Sequence, residues 1–254
     1  MDCPRVTKPC WSPRLADPFS TREPRTDARG PRAGRMGTMW GQTDRGKGLH
    51  MATLLYQGHG SLRLTTDAGH VIYIDPFMGD DELYAAPADL VLVTHQHHDH
   101  TSIHRMPHAP GCVVWQNMDA HPSPDAYLTQ SFLDGELVAE AVQAYNHHHD
   151  PAACVGYLVR VDGLTLYFAG DTGVTDQMRT DLPARNIDYA FLPGDGIYTM
   201  TAEEAGEAAN LIRARHAVPI HLKPVQPYGP EEAQRFARVA HNALLVPAGE
   251  TIRL

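Results

Sequence analysis

The sequence predicts a mixed α and β chain in which two β-sheets pack on each other with helices outside. Two observations carry this reading. The first third after residue 50 is a run of short apolar strings parted by Gly-containing turns, as in a β-meander, and the rest alternates strand-like strings with helices. Each sheet must cover its apolar faces, and two sheets set back to back beneath outer helices do so.

The elements follow in order. "TLLYQG", "SLRLTT" and "HVIYID" read as short strands, and "ADLVLVT" as a buried strand that runs into a histidine cluster. "CVVWQ" and the region "ELVAEAVQAY" read as further strands. "CVGYLVRVDGLTLYFAGDTG" is a hairpin about Asp162–Gly163, since Asp-Gly supplies the two positive φ angles of a tight turn. "IDYAFLP" and "HAVPIHL" are strands. "TAEEAGEAANLIRAR" is a helix with Thr201 as N-cap and Glu204 at the capping-box position. "GPEEAQRFARVAHN" is a second helix, with Pro and acidic residues in its first turn. "ALLVPAGETIRL" ends the chain in one or two short strands. No sequence repeat is evident, although a pseudo-repeat of strand-rich halves is compatible with the pattern.

Composition narrows the function. The chain has 254 residues, 43% of them apolar, enough for a real core, and its net charge of −9 argues against nucleic acid or an anionic membrane as partner. No stretch approaches the length of an apolar membrane span. Four cysteines (Cys3, Cys10, Cys112, Cys154) form no CxxC pair, as expected of reduced thiols in a cytoplasmic protein. Residues 1–50 stand apart. They hold 10 Lys and Arg against 5 Asp and Glu, with few aliphatic residues and no periodicity, so they are expected to be a disordered or non-native extension. They lack the apolar core of a signal peptide, and Pro and Gly interrupt any amphipathic transit helix. Met51 opens the well-patterned segment and is a candidate true start, which gives one domain over 51–254.

The segment "THQHHDH" (Thr94 to His100) carries the chemistry. In extended chain, residues i and i+2 share a face, so His95 and His97 can hold one ion. Asp99 and His100 come after the chain turns and can face a neighbouring spot, while His98 should face away. Imidazole suits zinc, and a carboxylate suits a second ion that must hold water. A polar His-rich loop could arise without function, but H-x-H-x-D-H directly after a strand is far more specific than composition. Other strand ends add metal-capable groups: His147, His148 and His149 in "NHHHDP", Asp171 in "AGDTG" and His221 in "PIHLKP". Each alone is weak; together, in this order, chance explains them poorly.

These motifs resemble the metallo-β-lactamase superfamily. "GHGS", "IYIDPF", "AYN", "VGYLV", "FAGDTG", "LPGDGIYTMTAEEA" and "PIHLKP" extend the resemblance to the small prokaryotic metal-dependent hydrolases of that superfamily, the group that includes ascorbate 6-phosphate lactonase-like proteins. It covers about Thr53 to Leu254. It implies a four-layer αββα sandwich with metals at the edge between the sheets. It further implies that His95, His97 and one histidine of the 147–149 run hold one ion, that Asp99, His100 and His221 hold the other, and that Asp171 bridges them. Relatives place His-Pro a few residues beyond "AYN", and this chain has "HHHDP"; His149, nearest the Pro, is the preferred ligand and His148 the second choice. Relatives also carry small or apolar residues where Asp195 stands. Asp195 is expected to be solvated or, less readily, to select a cationic or hydroxyl-bearing substrate.

Asp75, at a strand end beside the site, is assigned to hydrogen-bond a metal-bound His or its loop. His59 either lines the site as a substrate contact or caps its turn; Tyr198 and Lys223 are candidate substrate contacts, Lys223 for a phosphate or carboxylate, with a plain surface lysine as its alternative. Two divalent ions, zinc first and manganese second, would hold a hydroxide and polarise the scissile bond. Asp99 is the candidate to orient that nucleophile and to take or return a proton. No GxSxG elbow is present, and Cys154 reads as a core thiol. The expected activity is hydrolysis of a small ester, lactone, amide or phosphodiester, with a phosphorylated sugar lactone as the family analogy. A homo-oligomer is compatible with this reading. The alternatives are a non-catalytic metal- or ligand-binding domain of the same fold and a mononuclear iron oxidative relative. A complete ligand set favours the hydrolase.

Overall fold

Strands that alternate inward and outward residues build both sheets. The computed structural model describes residues 52–254, so the expectations for residues 1–50 fall outside the described residues. The first sheet contains β1 (Thr53–Gly58), β2 (Ser61–Thr65), β3 (Val71–Ile74), β4 (Ala88–Val93) and β5 (His108–Gln116), with the C-terminal β12 (Thr251–Arg253) added beside β1. The second contains β6 (Thr129–Phe132), β7 (Leu137–Gln143), β8 (Val155–Val161), β9 (Leu164–Phe168), β10 (Tyr189–Pro193) and β11 (His216–Ile220). Each sheet is antiparallel at first and ends in three parallel strands: β3, β4 and β5 in one, β9, β10 and β11 in the other. The two halves thus repeat a strand pattern without repeating a sequence.

The alternation is strict. In β1–β4, Leu54, Tyr56, Leu62, Leu64, Ile72, Ile74, Leu90 and Leu92 point between the sheets, where they join Val155, Tyr157, Val159, Leu166, Phe168, Phe191, Val218 and Ile220. The intervening residues face outward into two further clusters. Over the second sheet, Leu158, Tyr167, Ala190, Leu192 and Ala217 are covered by α2 (Asp176–Thr180), α3 (Ala202–Ile212) and α4 (Pro230–Val239). Over the first, Tyr73, Val91 and Val93 lie under Tyr84 and Met106. There the covering layer is a 3-10 turn (Asp81–Tyr84) with loops, thinner than the helical layer expected. This two-sided burial explains why "LVLV" reads as one continuous apolar run.

Local signals were also realised. Thr201 and Glu204 form the reciprocal capping box, and Asp162 and Gly163 take the positive φ angles (51° and 77°) of the hairpin turn. Three strands or helices were not anticipated. β6 is an edge strand whose first three residues are exposed, so "TQSF" carries no alternation, and α1 (Asn117–Ala120) and α2 span only four and five residues, too few for a helical period. At the chain end only β12 forms as a strand, with Ala243 making a single bridge to Ala217.

The rings of Phe168 and Phe191 stack at 4.9 Å in the inter-sheet core. Phe191→Ala is expected to cost about 3–5 kcal/mol, read as a lowered midpoint in chemical denaturation. An unchanged midpoint would mean this layer can collapse around the loss.

Candidate metal centre

Every residue of the cluster stands just past the C-terminal end of a strand. β1, β3 and β4 run in one direction in their sheet, as do β7, β9, β10 and β11 in theirs. His59 follows β1, Asp75 follows β3, Thr94 and His95 follow β4, and the segment Asn146–His149 follows β7. Asp171, Asp195 and His221 follow β9, β10 and β11. The carboxyl ends of strands in packed sheets are where such folds gather polar loops. Main-chain bonds stitch the two ends together: Val155 N donates to Thr94 O (3.0 Å), and His221 N donates to His59 O (2.8 Å).

Asp171 is the meeting point. Its Oδ2 lies 3.3 Å from His221 Nε2, 3.5 Å from His100 Nε2, 3.5 Å from His149 Nε2 and 3.9 Å from His95 Nε2. All five side chains are buried. Among the described residues the four Nε2 atoms have no hydrogen-bond partner. Ligand-capable atoms fall within 4.8 Å of one another in three sets: His95, His97 and His149; His95, His100 and Asp171; and His59, Asp99, His100 and His221. His97 is exposed and is the cluster's side toward solvent.

The other ring nitrogens are held from behind. Thr94 Oγ1 donates to Asp75 Oδ2 (2.6 Å), so at 3.0 Å it can only accept from His95 Nδ1. Asn146 Oδ1 accepts from the backbone N–H groups of His148 (2.7 Å) and His149 (3.0 Å) and sits 3.0 Å from His149 Nδ1. Asp75 Oδ2 faces His100 Nδ1 at 3.0 Å, and Asp195 Oδ2 faces His221 Nδ1 at 3.3 Å. An oxygen near each Nδ1 favours the proton there and frees Nε2, the tautomer a metal ligand needs; for His95 and His149 the contact has hydrogen-bond geometry, and for His100 and His221 it is a close approach. Orphaned nitrogens, a central carboxylate and borderline-soft imidazole donors together fit divalent ions.

Burial and charge compete throughout. Burial pushes the Asp171 carboxyl up, but the rings of His221 and His100 outweigh it and hold the group well below the usual carboxylate range. Burial lowers His100, yet Asp171 and Asp75 carry it well above its ordinary value. His221 is likewise raised against burial, by Asp171 and Asp195. His95 is lowered by burial and then by His100, and His149 by burial. Burial pushes the Asp99 carboxyl up, but the hydrogen bond from His59 and the charge of His100 bring it below its ordinary range. Because ring nitrogens bind metal only when deprotonated, a cation beside Asp171 competes with protons for these rings.

The expected residues fall as follows. His95, His97, Asp99, His100, His149, Asp171 and His221 come together, His98 is exposed and outside the cluster, and of the 147–149 run only His149 is buried there. Asp75 accepts from Thr94 N and Oγ1 (2.8 and 2.6 Å) and faces His100. Asp195 corrects both of its expected roles. Its side chain is fully buried, and Oδ1 accepts from the backbone N–H groups of Ile197, Tyr198 and Thr199 (2.9, 2.9 and 3.0 Å), so it meets neither water nor substrate. His59 is also corrected: it is fully buried, with Nε2 3.2 Å from Asp99 Oδ2 and its ring 3.7 Å from that of His221, and it offers substrate no surface. Tyr198 is half exposed and stands 5.5 Å from the His148 ring, between centroids. Lys223 Nζ faces Glu232 at 3.6 Å. Cys154 is buried, and burial pushes its thiol up to about 12, so it supplies no thiolate at neutral pH. The partners Thr94 and Asn146 went unassigned, although each is adjacent in sequence to a metal-capable motif.

His59, Asp75 and His221 take left-handed backbone, with φ of 55°, 46° and 46°. Such conformations cost energy in non-glycine residues and persist where surrounding structure fixes them. A groove of about 690 Å³ opens elsewhere, between the edge strands β5 and β6. It is lined by His70 and Asp89, at the start of β3 and β4 and therefore at the far end of the strands from His95, and among the described residues it gathers no converging ligand set.

Gly170 shows how tightly the centre is packed. Its φ is +64°, and a Cβ there would stand 2.9 Å from both Thr94 Cβ and Val155 O. Gly170→Ala is therefore expected to destabilise by about 1–3 kcal/mol and to disturb Thr94 behind His95. Thermal melting should show a midpoint several degrees lower; an unchanged midpoint would mean the loop can yield.

Comparison with known proteins agrees with this geometry. Residues 53–221, from β1 to His221, match the family model of the beta-lactamase superfamily domain. The chain is 33% identical over 198 residues to a UPF0173 metal-dependent hydrolase of Nitratidesulfovibrio vulgaris, covering 66% of this chain and 79% of that protein. It is 33% identical over 228 residues to a UPF0173 metal-dependent hydrolase of a Geobacillus species, covering 78% and 98%. Among solved structures, a metallo hydrolase of the archaeon Ignicoccus hospitalis superposes with a TM-score of 0.61 at 26% identity, over 79% of this chain and 97% of that one. By its sequence, its two-sheet sandwich and the placement of its histidines, the chain belongs to the metallo-β-lactamase superfamily.

Proposed function

We propose that the domain over residues 51–254 is a metal-dependent hydrolase with a two-ion site. His95, His97 and His149 would hold one ion, Asp99, His100 and His221 the other, and Asp171 would lie between them. The observation that carries this is the set of four partnerless Nε2 atoms aimed at one buried carboxylate. Zinc fits the imidazole-rich set first and manganese second. Divalent ions held there would lower the pKa of a ligated water to about 7 and polarise a carbonyl or phosphoryl oxygen.

The chain's own residues do the rest. Asp75, Thr94, Asn146 and Asp195 fix four imidazoles in the donor tautomer, so that little reorganises when substrate arrives. Asp99, held ionised and hydrogen-bonded by His59, is suited to accept a hydrogen bond from a water and so to orient it; its depressed pKa makes it a weak proton store. His97 and Asp99 face the open side, where a small substrate approaches. With Lys223 facing Glu232, a neutral ester or lactone suits the site better than a phosphorylated one, and a phosphodiester is the next choice.

The test is metal content together with turnover, on protein purified without chelator. About two zinc or manganese ions per chain are expected, with activity on a panel of esters, lactones and bis(p-nitrophenyl) phosphate that chelation removes and the metal restores. His97→Ala is expected to lose metal and to reduce turnover by at least about 10²-fold, more than loss of an outer hydrogen bond costs. Turnover that survives complete metal removal would overturn the proposal.

A further inference from the structure

The side chain of Asn146 divides its two ends between the metal centre and a separate loop. Its oxygen holds His149 by three contacts, to His149 Nδ1 and to the N–H groups of His148 and His149. Its nitrogen donates to the carbonyl oxygen of Tyr198 at 2.9 Å. That carbonyl belongs to the loop Asp195–Thr199, which follows β10 and comes from a different part of the sequence.

The loop is closed on itself. Asp195 Oδ1 takes the N–H groups of Ile197, Tyr198 and Thr199 and the Thr199 hydroxyl, and Gly196 N donates to Met200 O at 2.9 Å. Asp195 Oδ2 meanwhile faces His221. The loop is thus tied to one half of the cluster through Asp195 and to the other half through Asn146. On its outer side Ile197 and Tyr198 are 56% and 48% exposed, and Tyr198 stands beside His148. These two side chains are held at the edge of the centre on a backbone that cannot drift while both ties are made.

We propose that Asn146 is a positioning residue that couples the orientation of His149 to the loop Asp195–Thr199, so that loading the centre with metal and fixing the loop are one event. This rests on the metal-binding reading of the cluster. The coupling is reciprocal, because any free energy that metal contributes to loop order is returned as metal affinity.

The two ends of the side chain can be separated. Asn146→Asp keeps an oxygen for His149 Nδ1 and the two N–H groups but cannot donate to Tyr198 O. Asn146→Ala removes both ends. Each protein, with wild type, is titrated with Zn²⁺ against a chromogenic chelator, and exchange of the Ile197–Thr199 amides is followed by hydrogen–deuterium exchange with and without Zn²⁺. A thermal melt of each in chelator checks that the variants fold.

Wild type is expected to bind Zn²⁺ and to slow exchange in the loop when it does. Asn146→Ala should bind Zn²⁺ about 10–100-fold more weakly. Asn146→Asp should keep affinity within a few-fold of wild type, while its loop amides exchange about 3–10-fold faster in the Zn²⁺ form, the measure of one lost hydrogen bond. Unchanged Zn²⁺ affinity in Asn146→Ala, or wild-type loop protection in Asn146→Asp, overturns the coupling alone. A wild-type chain that takes up no Zn²⁺ overturns the metal reading and the coupling with it.

Discussion

One carboxylate sets the terms for the rest of the centre. Asp171 is buried among four imidazoles, each presenting Nε2 to the same oxygen at 3.3–3.9 Å. In isolation this would be a poor use of a core position, since buried ions and orphaned nitrogens each cost free energy. The arrangement makes sense as the coordination shell of cations, and the packing around it keeps it from collapsing. Gly170 lets the chain pass against Thr94 and Val155 O. Gly60 does the same beside His100, whose Cε1 would meet a Cβ at 2.9 Å.

The sandwich supplies what the centre costs. Parallel strands in both sheets deliver their carboxyl ends to one edge, so residues far apart in sequence arrive together without long loops. Behind them lies an inter-sheet core of aromatic and branched residues. That core can hold His59, Asp75 and His221 in left-handed backbone, a cost of order 1–3 kcal/mol each. The second ring of contacts then does the finer work. Thr94, Asp75, Asn146 and Asp195 each place an oxygen behind a histidine, which turns flexible rings into fixed donors.

Much of this was legible in the sequence, for identifiable reasons. The strings "TLLYQG", "HVIYID" and "ADLVLVT" are short apolar runs set off by turn residues, as strands buried on one or both faces are, and the histidine cluster sits where a strand must end. The exposed position of His98 followed from the turn after His97, which is a 3-10 turn. Other features depend on geometry that spacing does not encode. "HHHDP" names three candidates, and only the fold of the loop, with Asn146 bonded to the N–H groups of His148 and His149, buries His149 beneath the other two. Asp195 resembled a free carboxylate because nothing local shows that it would turn back onto three amides and a histidine; the Thr four residues on is the one available hint. His59 resembled a rim residue because its tuck beneath Asp99 depends on a positive φ at the end of β1 and on a partner strand end from the other sheet.

The most direct measurement is an anomalous diffraction map at the zinc edge from crystals of the full chain grown with Zn²⁺. Two peaks are predicted, one among His95, His97 and His149 and the other among Asp99, His100 and His221, on either side of Asp171. A map with no peak beside Asp171, or with zinc only on the exposed rings of His147 and His148, would contradict the assignment of this cluster as the metal centre.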